Sequence, residues 1–197
     1  LALGLSLPVD KILLNDKTQA IGIIASNLSG VPQTVKAHMA VYPITGPQRL
    51  IRQRYWIKPD TFVMTKKDYL QYFPFDEYAD ETKKENWQKG KAVFEKTDTI
   101  NGHQYKLDIP TYALSPGWYL LEVRAKDAFG QEVNAIEYLQ VMDSKSGVVD
   151  RYGYFSSRLT KSVLQPGDST KLQINTAADG LWIIQFADGY KNPADKK

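Results

Sequence analysis

Leu114-Ser-Pro116-Gly117-Trp-Tyr-Leu-Leu-Glu-Val-Arg-Ala125, continued by Lys126-Asp127-Ala-Phe129-Gly130 and the run Val133 to Val141, decides the fold class of this chain. Pro-Gly opens a turn. After it Tyr119, Leu121, Val123 and Ala125 alternate with Trp118, Leu120, Glu122 and Arg124, the period of a pleated strand. Asp127 to Gly130 has turn chemistry, and a second β-rich run follows. The pattern predicts the closing hairpin of an antiparallel sandwich, a scaffold element before it is a catalytic one.

Working outward, the same grammar recurs. Leu1, Leu3, Leu5 and Leu7 alternate with small residues until Pro8. Gln19 to Ser26 is a nearly continuous apolar strand, turned by Asn27-Leu-Ser-Gly30. In Val35 to Tyr42, Val35, Ala37, Met39 and Val41 share one face, and Lys36, His38, Ala40 and Tyr42 the other. Pro43 and Pro47 are expected to close that strand, and Gln48 to Trp56 to form a mixed one.

The β pattern then breaks. Thr65-Lys-Lys-Asp68 is a capping box with Asp in place of Glu or Gln, and Tyr69, Leu70, Tyr72 and Phe73 share a helical face up to Pro74. Asp80 to Lys89 reads as a second short helix around Trp87, stopped by Gly90. Lys58 to Gly90 is therefore expected to be a helical and irregular insertion within a β domain. Strands resume at Ala92 to Lys96 and Gln104 to Ile109.

Asp143-Ser-Lys-Ser-Gly147 has linker composition, so residues 1–143 read as one sandwich and 144–150 as a linker. Beyond it Tyr152 to Leu159, Ser169 to Asn175 and Leu181 to Ala187 read as strands. Leu164-Gln-Pro166-Gly167 echoes Leu114-Ser-Pro116-Gly117. Three strands are few for a sandwich, so 151–197 is expected to open a second, incomplete β-domain. The fold class is all-β, an antiparallel β-sandwich with a short helical insertion and a partial second β-domain.

Composition narrows the function. There is no cysteine, which excludes disulfides, thiol catalysis and cysteine-ligated zinc. The net charge of +3 is interspersed, with no Lys/Arg-rich run, and nucleic acid is not an expected partner. No membrane span or signal peptide is visible, and the chain reads as a segment of a longer protein, any targeting segment lying upstream of Leu1.

No catalytic, metal or cofactor site is expected. His38 and His103 lack the orienting carboxylate and nucleophile of a triad. Asp76, Glu77, Asp80, Glu81 and Glu85 match no calcium loop and are interleaved with lysines, as on a solvated face. Arg52 and Arg54 fall on one face of their expected strand, as at a charged edge. The aromatics are dense around the insertion. Tyr55, Trp56, Tyr78 and Trp87 are the candidate interaction surface, a platform for a sugar or a protein. The competing reading, that these rings glue the insertion to the sandwich, is the favoured one, because an ordered insertion needs its own small core.

One ordered set of motifs goes further. Ser6-Leu-Pro8, Asn27-Leu-Ser-Gly30, Val41-Tyr42 and Pro47 precede Arg54-x-Trp56-x-x-Pro59-Asp60. Phe73-Pro74, Tyr78, Trp87-x-x-Gly90, Pro116-Gly117-x-Tyr119 and Asp127-x-Phe129-Gly130 follow. Over Leu5 to Asp143 the chain resembles a macroglobulin-type domain of the large alpha-2-macroglobulin-like proteins of Bacteroidetes-type bacteria. The resemblance implies a seven-stranded sandwich in a tandem array, with neighbouring macroglobulin domains of the same chain as direct partners. It implies a parent that traps proteinases after a bait segment is cut. It implies a periplasmic, envelope or extracellular location, a lipid-anchored parent being one form of it. Without cysteine this segment cannot hold the family's thioester, and it shows no bait segment. The alternative is an adhesion or carbohydrate-binding module that uses the aromatic insertion.

Overall fold

The structure, a computed structural model, describes residues 3–9, 11–52, 54, 56–102, 105–143, 156–159, 161 and 163–184. Strands β1 (Leu3–Ser6), β3 (Gln19–Asn27) and β7 (Tyr105–Ile109) form one antiparallel sheet in the order β1-β3-β7. The second sheet runs β2-β9-β8-β4, from β2 (Ile12–Leu14), β9 (Glu132–Met142), β8 (Gly117–Lys126) and β4 (Thr34–Thr45). The far edge of β4 is shared by β6 (Phe94–Asn101) and the two-residue β5 (Gln88–Lys89). β2 runs parallel to β9, so this sheet is mixed. The opening segment thus switches sheets at Pro8. Counting β1 and β2 as one strand, the sandwich has seven, with β5 as an addition.

The inner faces meet in one core. Ile21, Ile23 and Ala25 of β3 and Leu107 and Ile109 of β7 pack against Ala37, Met39 and Val41 of β4 and Leu121 and Val123 of β8. The alternation read in β4 and β8 is the one observed: Val35, Ala37, Met39 and Val41, and Tyr119, Leu121, Val123 and Ala125, all point inward. Tyr119 Oη donates to the Ser115 carbonyl at 2.7 Å, the tyrosine corner of an immunoglobulin-like sandwich. Burial pushes that phenol's pKa up.

The turns form where their residues demand. Asp127 Oδ1 accepts the N–H groups of Phe129 and Gln131 at 2.8 and 2.9 Å, and Gly130 takes φ +81°. Asn27 Oδ1 does the same for Ser29 and Val31.

Four expectations change. β4 does not stop at Pro43 but continues to Thr45. The Pro43 carbonyl accepts Gly90 N–H at 2.9 Å, so its nitrogen, which lacks a proton, faces the gap between β5 and β6, where no ladder bond is required. Gln48 to Trp56 is not a strand: its described residues make only an isolated parallel bridge, Arg52 to Asp76. Asp80 to Lys89 is not a helix. It holds a 3-10 turn, Lys84–Asn86, and then β5, and Gly90 is needed because a Cβ there would lie 2.9 Å from Pro43 Cγ. The strand expected at Ala92 to Lys96 starts later and runs longer, as β6.

Beyond the sandwich, β10 (Ser156–Leu159) pairs antiparallel with β11 (Leu172–Asn175). Residues 181–184 of the third expected strand have no strand pairing, and 185–187 lie outside the described residues. So do the expected linker 144–150, Tyr55 and His103.

Candidate functional site

The insertion is built on two attachments. The first is electrostatic. The basic segment Arg49 to Lys58 lies along the acidic segment Asp76 to Glu81. Arg52 donates to the Phe75 carbonyl through its backbone N–H at 2.8 Å and to Asp76 Oδ1 through Nε at 2.6 Å. Arg54 Nη2 donates to the carbonyls of Glu77 and Ala79, each at 2.9 Å, and lies 3.8 Å from Glu77 Oε2. Lys58 Nζ is 2.6 Å from Asp80 Oδ2, and Lys66 Nζ is 3.0 Å from Glu81 Oε1. Arg49 spans the Pro74 carbonyl at 3.0 Å and Glu81 Oε1 at 3.4 Å.

Asp76, Glu77, Asp80 and Glu81 are therefore not a solvated face but pair with the basic segment and with Lys66 and Lys83, while Glu85 is exposed, and the arginines are not a sheet edge. Among the described residues no group of three or more His, Asp or Glu is placed to hold a metal ion. Hydrogen bonds from Lys58 and Lys83 hold the Asp80 carboxyl below its ordinary pKa. Burial pushes Glu81 up, but hydrogen bonds from Lys66 and the Ala79 N–H outweigh it, and the net shift is downward.

Between the two segments the chain turns back through α1 (Lys66–Tyr72). Thr65 Oγ1 caps it by accepting Asp68 N–H at 3.2 Å, as the capping box predicts. Tyr78 stacks on Phe62 with centroids 4.3 Å apart, tilts against Tyr69 at 5.4 Å, and donates through Oη to the Met64 carbonyl.

The second attachment straps the tail of the insertion over the outer face of the sheet. Trp87 meets Trp118 of β8 edge-on at 6.1 Å and donates its indole N–H to the Glu81 carbonyl at 2.9 Å. Lys84 Nζ sits 4.0 Å above the Trp118 ring. Lys89 Nζ lies 3.6 Å over Tyr42 and 2.9 Å from Glu122 Oε2. Burial raises the Glu122 pKa, but bonds from Lys89 and Arg124 outweigh it and the carboxyl stays lowered.

The four candidate surface residues thus part company. Tyr78 and Trp87 are half-buried in two different ring clusters, where they bind the insertion to itself and to the sheet. Trp56 is 55% exposed, close in sequence to the exposed Ile57, and Phe73 and Phe75 are exposed as well. Tyr55 lies outside the described residues. His38 is exposed, its Nδ1 3.1 Å from Thr97 Oγ1. Sequence reasoning missed Trp118 and Tyr42 as the floor of the strap. The signal was there, since Trp118 and Leu120 make the outward face of β8 apolar and so in need of cover.

At the root of the insertion the strap leaves a cleft of about 410 Å³, bounded by Thr45 and Pro47 on one side and by Asp80, Asn86, Trp87 and Gln88 on the other. No helix among the described residues is long and apolar enough to cross a membrane. No protein-family model, no curated protein and no solved structure matches this chain.

Proposed function

We propose that this chain is a non-catalytic structural module of a large bacterial alpha-2-macroglobulin-like envelope protein, whose parent traps proteinases. The observation that carries the reading is where the chain leaves the sandwich. Lys89, Ile44, Trp118 and Gln140 are successive neighbours in one row across the sheet, and β9 ends just beyond Gln140. The clamped insertion is rooted at the same end of the sheet from which the chain runs on to a further antiparallel pair, β10 and β11. A stiff sandwich with a buttress beside its exit suits a unit in a tandem array, where relative motion between domains is otherwise the default. In this reading residues 151–197 open the next macroglobulin domain.

Reading the parent coding sequence on both sides of this segment tests the proposal. Further sandwich domains with a lipoprotein-type signal upstream support it, and a Cys-x-Glu-Gln downstream specifies covalent trapping. A frame that closes near Lys197 without tandem domains overturns it.

A second reading, an adhesion or carbohydrate-binding module, is favoured by the exposed Trp56 and Phe75. A saturable change in tryptophan emission with added glycan, lost in Trp56→Ala with the fold intact, would support it; unchanged emission would remove it.

A further inference from the structure

We infer that the cleft between the root of the insertion and the end of β4 is a saccharide site that takes one neutral sugar ring of a larger glycan. This rests on the binding-module reading and deepens it by naming a place and a ligand class. The cleft, about 410 Å³, is of small-molecule size.

Its walls are pinned. Asn86 Nδ2 donates to the Asp80 carbonyl at 2.9 Å, the Trp87 indole N–H donates to the Glu81 carbonyl at 2.9 Å, and Gln88 is in register with Thr45 in the ladder between β5 and β4. A ligand entering a site fixed in this way orders little that is not already ordered.

The ion pairs beside the cleft argue against a metal ion. Asp80 is answered by Lys58 and Lys83, and Glu81 by Arg49 and Lys66. Neither carboxylate is left without a cation, so a metal ion finds no uncompensated partner there. The polar lining side chains outside these ion pairs are neutral. Among the described residues the exposed side chains of Thr45 and Gln88 engage no hydrogen bond, and Asn86 keeps its Oδ1 uncommitted. A hydroxyl, a carboxamide that both donates and accepts, and a lone carbonyl stand opposite an apolar wall of Pro47 and Trp87. A pyranose matches this set: its hydroxyls donate and accept in turn, and its C–H face suits an aromatic wall. An aliphatic ligand would leave the amides unpaired.

The test is an amide and indole N–H spectrum of the whole chain, titrated separately with glucose, galactose, mannose and N-acetylglucosamine. At least one sugar is expected to give saturable shifts at the side-chain amides of Asn86 and Gln88 and at the Trp87 indole, with a dissociation constant of roughly 1 mM. Gln88→Ala and Thr45→Val, both at exposed positions, are expected to weaken binding about tenfold while leaving spectral dispersion unchanged. Absence of saturable shifts with all four sugars, or shifts that both variants leave intact, overturns the site. A glycan response that depends on Trp56 but leaves Gln88 silent overturns the cleft while sparing the binding-module reading.

Discussion

Arg54 and Glu77 bury their charges side by side: their side chains are 8% and 11% exposed, and the guanidinium is held by two backbone carbonyls of the acidic segment as well as by the carboxylate. A buried ion is tolerated only when such bonds replace its lost hydration. Arg54→Ala leaves Glu77 and the two carbonyls without this partner. The expected cost to the insertion is about 3–5 kcal/mol, seen as fast hydrogen exchange across Tyr69 to Trp87 with protection of Met39 and Leu121 retained. Equal protection of the insertion in variant and parent would refute the clamp.

Acid should act on the edge between β6 and β7. Asp98 accepts from Tyr105 Oη at 2.7 Å and lies 3.2 Å from Lys96 Nζ. The Tyr105 bond, then the Thr99 N–H and Lys96, hold the Asp98 pKa at about 2 against an ordinary 3.8. A depressed folded-state pKa gives stability that is complete above the ordinary value and is lost as pH falls through the folded one. Wild type should therefore lose stability between about pH 4 and pH 2, and Asp98→Asn should flatten that limb of a denaturation series. An unchanged slope would assign the acid limb to other carboxylates.

Thr111, fully buried, sets its hydroxyl between the carbonyls of Leu14 and Lys17. Thr111→Val keeps the shape and removes the side-chain bond that ties this turn to Leu14 of β2. A loss of about 1–3 kcal/mol is expected, read as a lower urea midpoint with an unchanged m-value. A variant as stable as its parent would mean that the Thr111 hydroxyl adds nothing to what packing and the pairing with β9 already give β2.

Two glycines should fail for different reasons. At Gly90 an added Cβ meets Pro43 Cγ at 2.9 Å, whereas at Gly130 there is open space but φ is +81°. Gly90→Ala should lift the strap and shift tryptophan emission, because Trp87 leaves Trp118. Gly130→Ala should cost roughly 1 kcal/mol with emission unchanged. Identical emission in both variants would contradict the strap.

The sandwich was legible because its strands carry period-two alternation long enough to register: β4 and β8 each show their inward face over several residues. β2 was not, since Ile12 to Leu14 is too short to show any period. The segment Gln48 to Trp56 looked like a strand because Arg52 and Arg54 stand two apart and Tyr55 and Trp56 favour strands, yet its arginines are spent on carboxylates and carbonyls of another segment, a pairing that no local pattern displays. Asp80 to Lys89 has helical composition, but Trp87 and Lys89 find the outer face of β8 and β4, and that tertiary contact overrides propensity. Of the candidate site, Trp56 was readable as an exposed ring. The cleft beside Trp87 was not, because its walls come from residues some forty positions apart.

The parallel pairing of β2 with β9 has a mechanical consequence. Lys11 and Met142 carbonyls accept from Gln140 and Asn15 at 2.7 and 3.0 Å, so the first and last strands of the sandwich lie side by side and point the same way. Tension applied between the two ends of the domain would drag these strands along each other, loading their hydrogen bonds together in shear instead of peeling them one at a time. Resistance to pulling would then depend on how fast this short junction lets go under force, a rate and not an equilibrium stability.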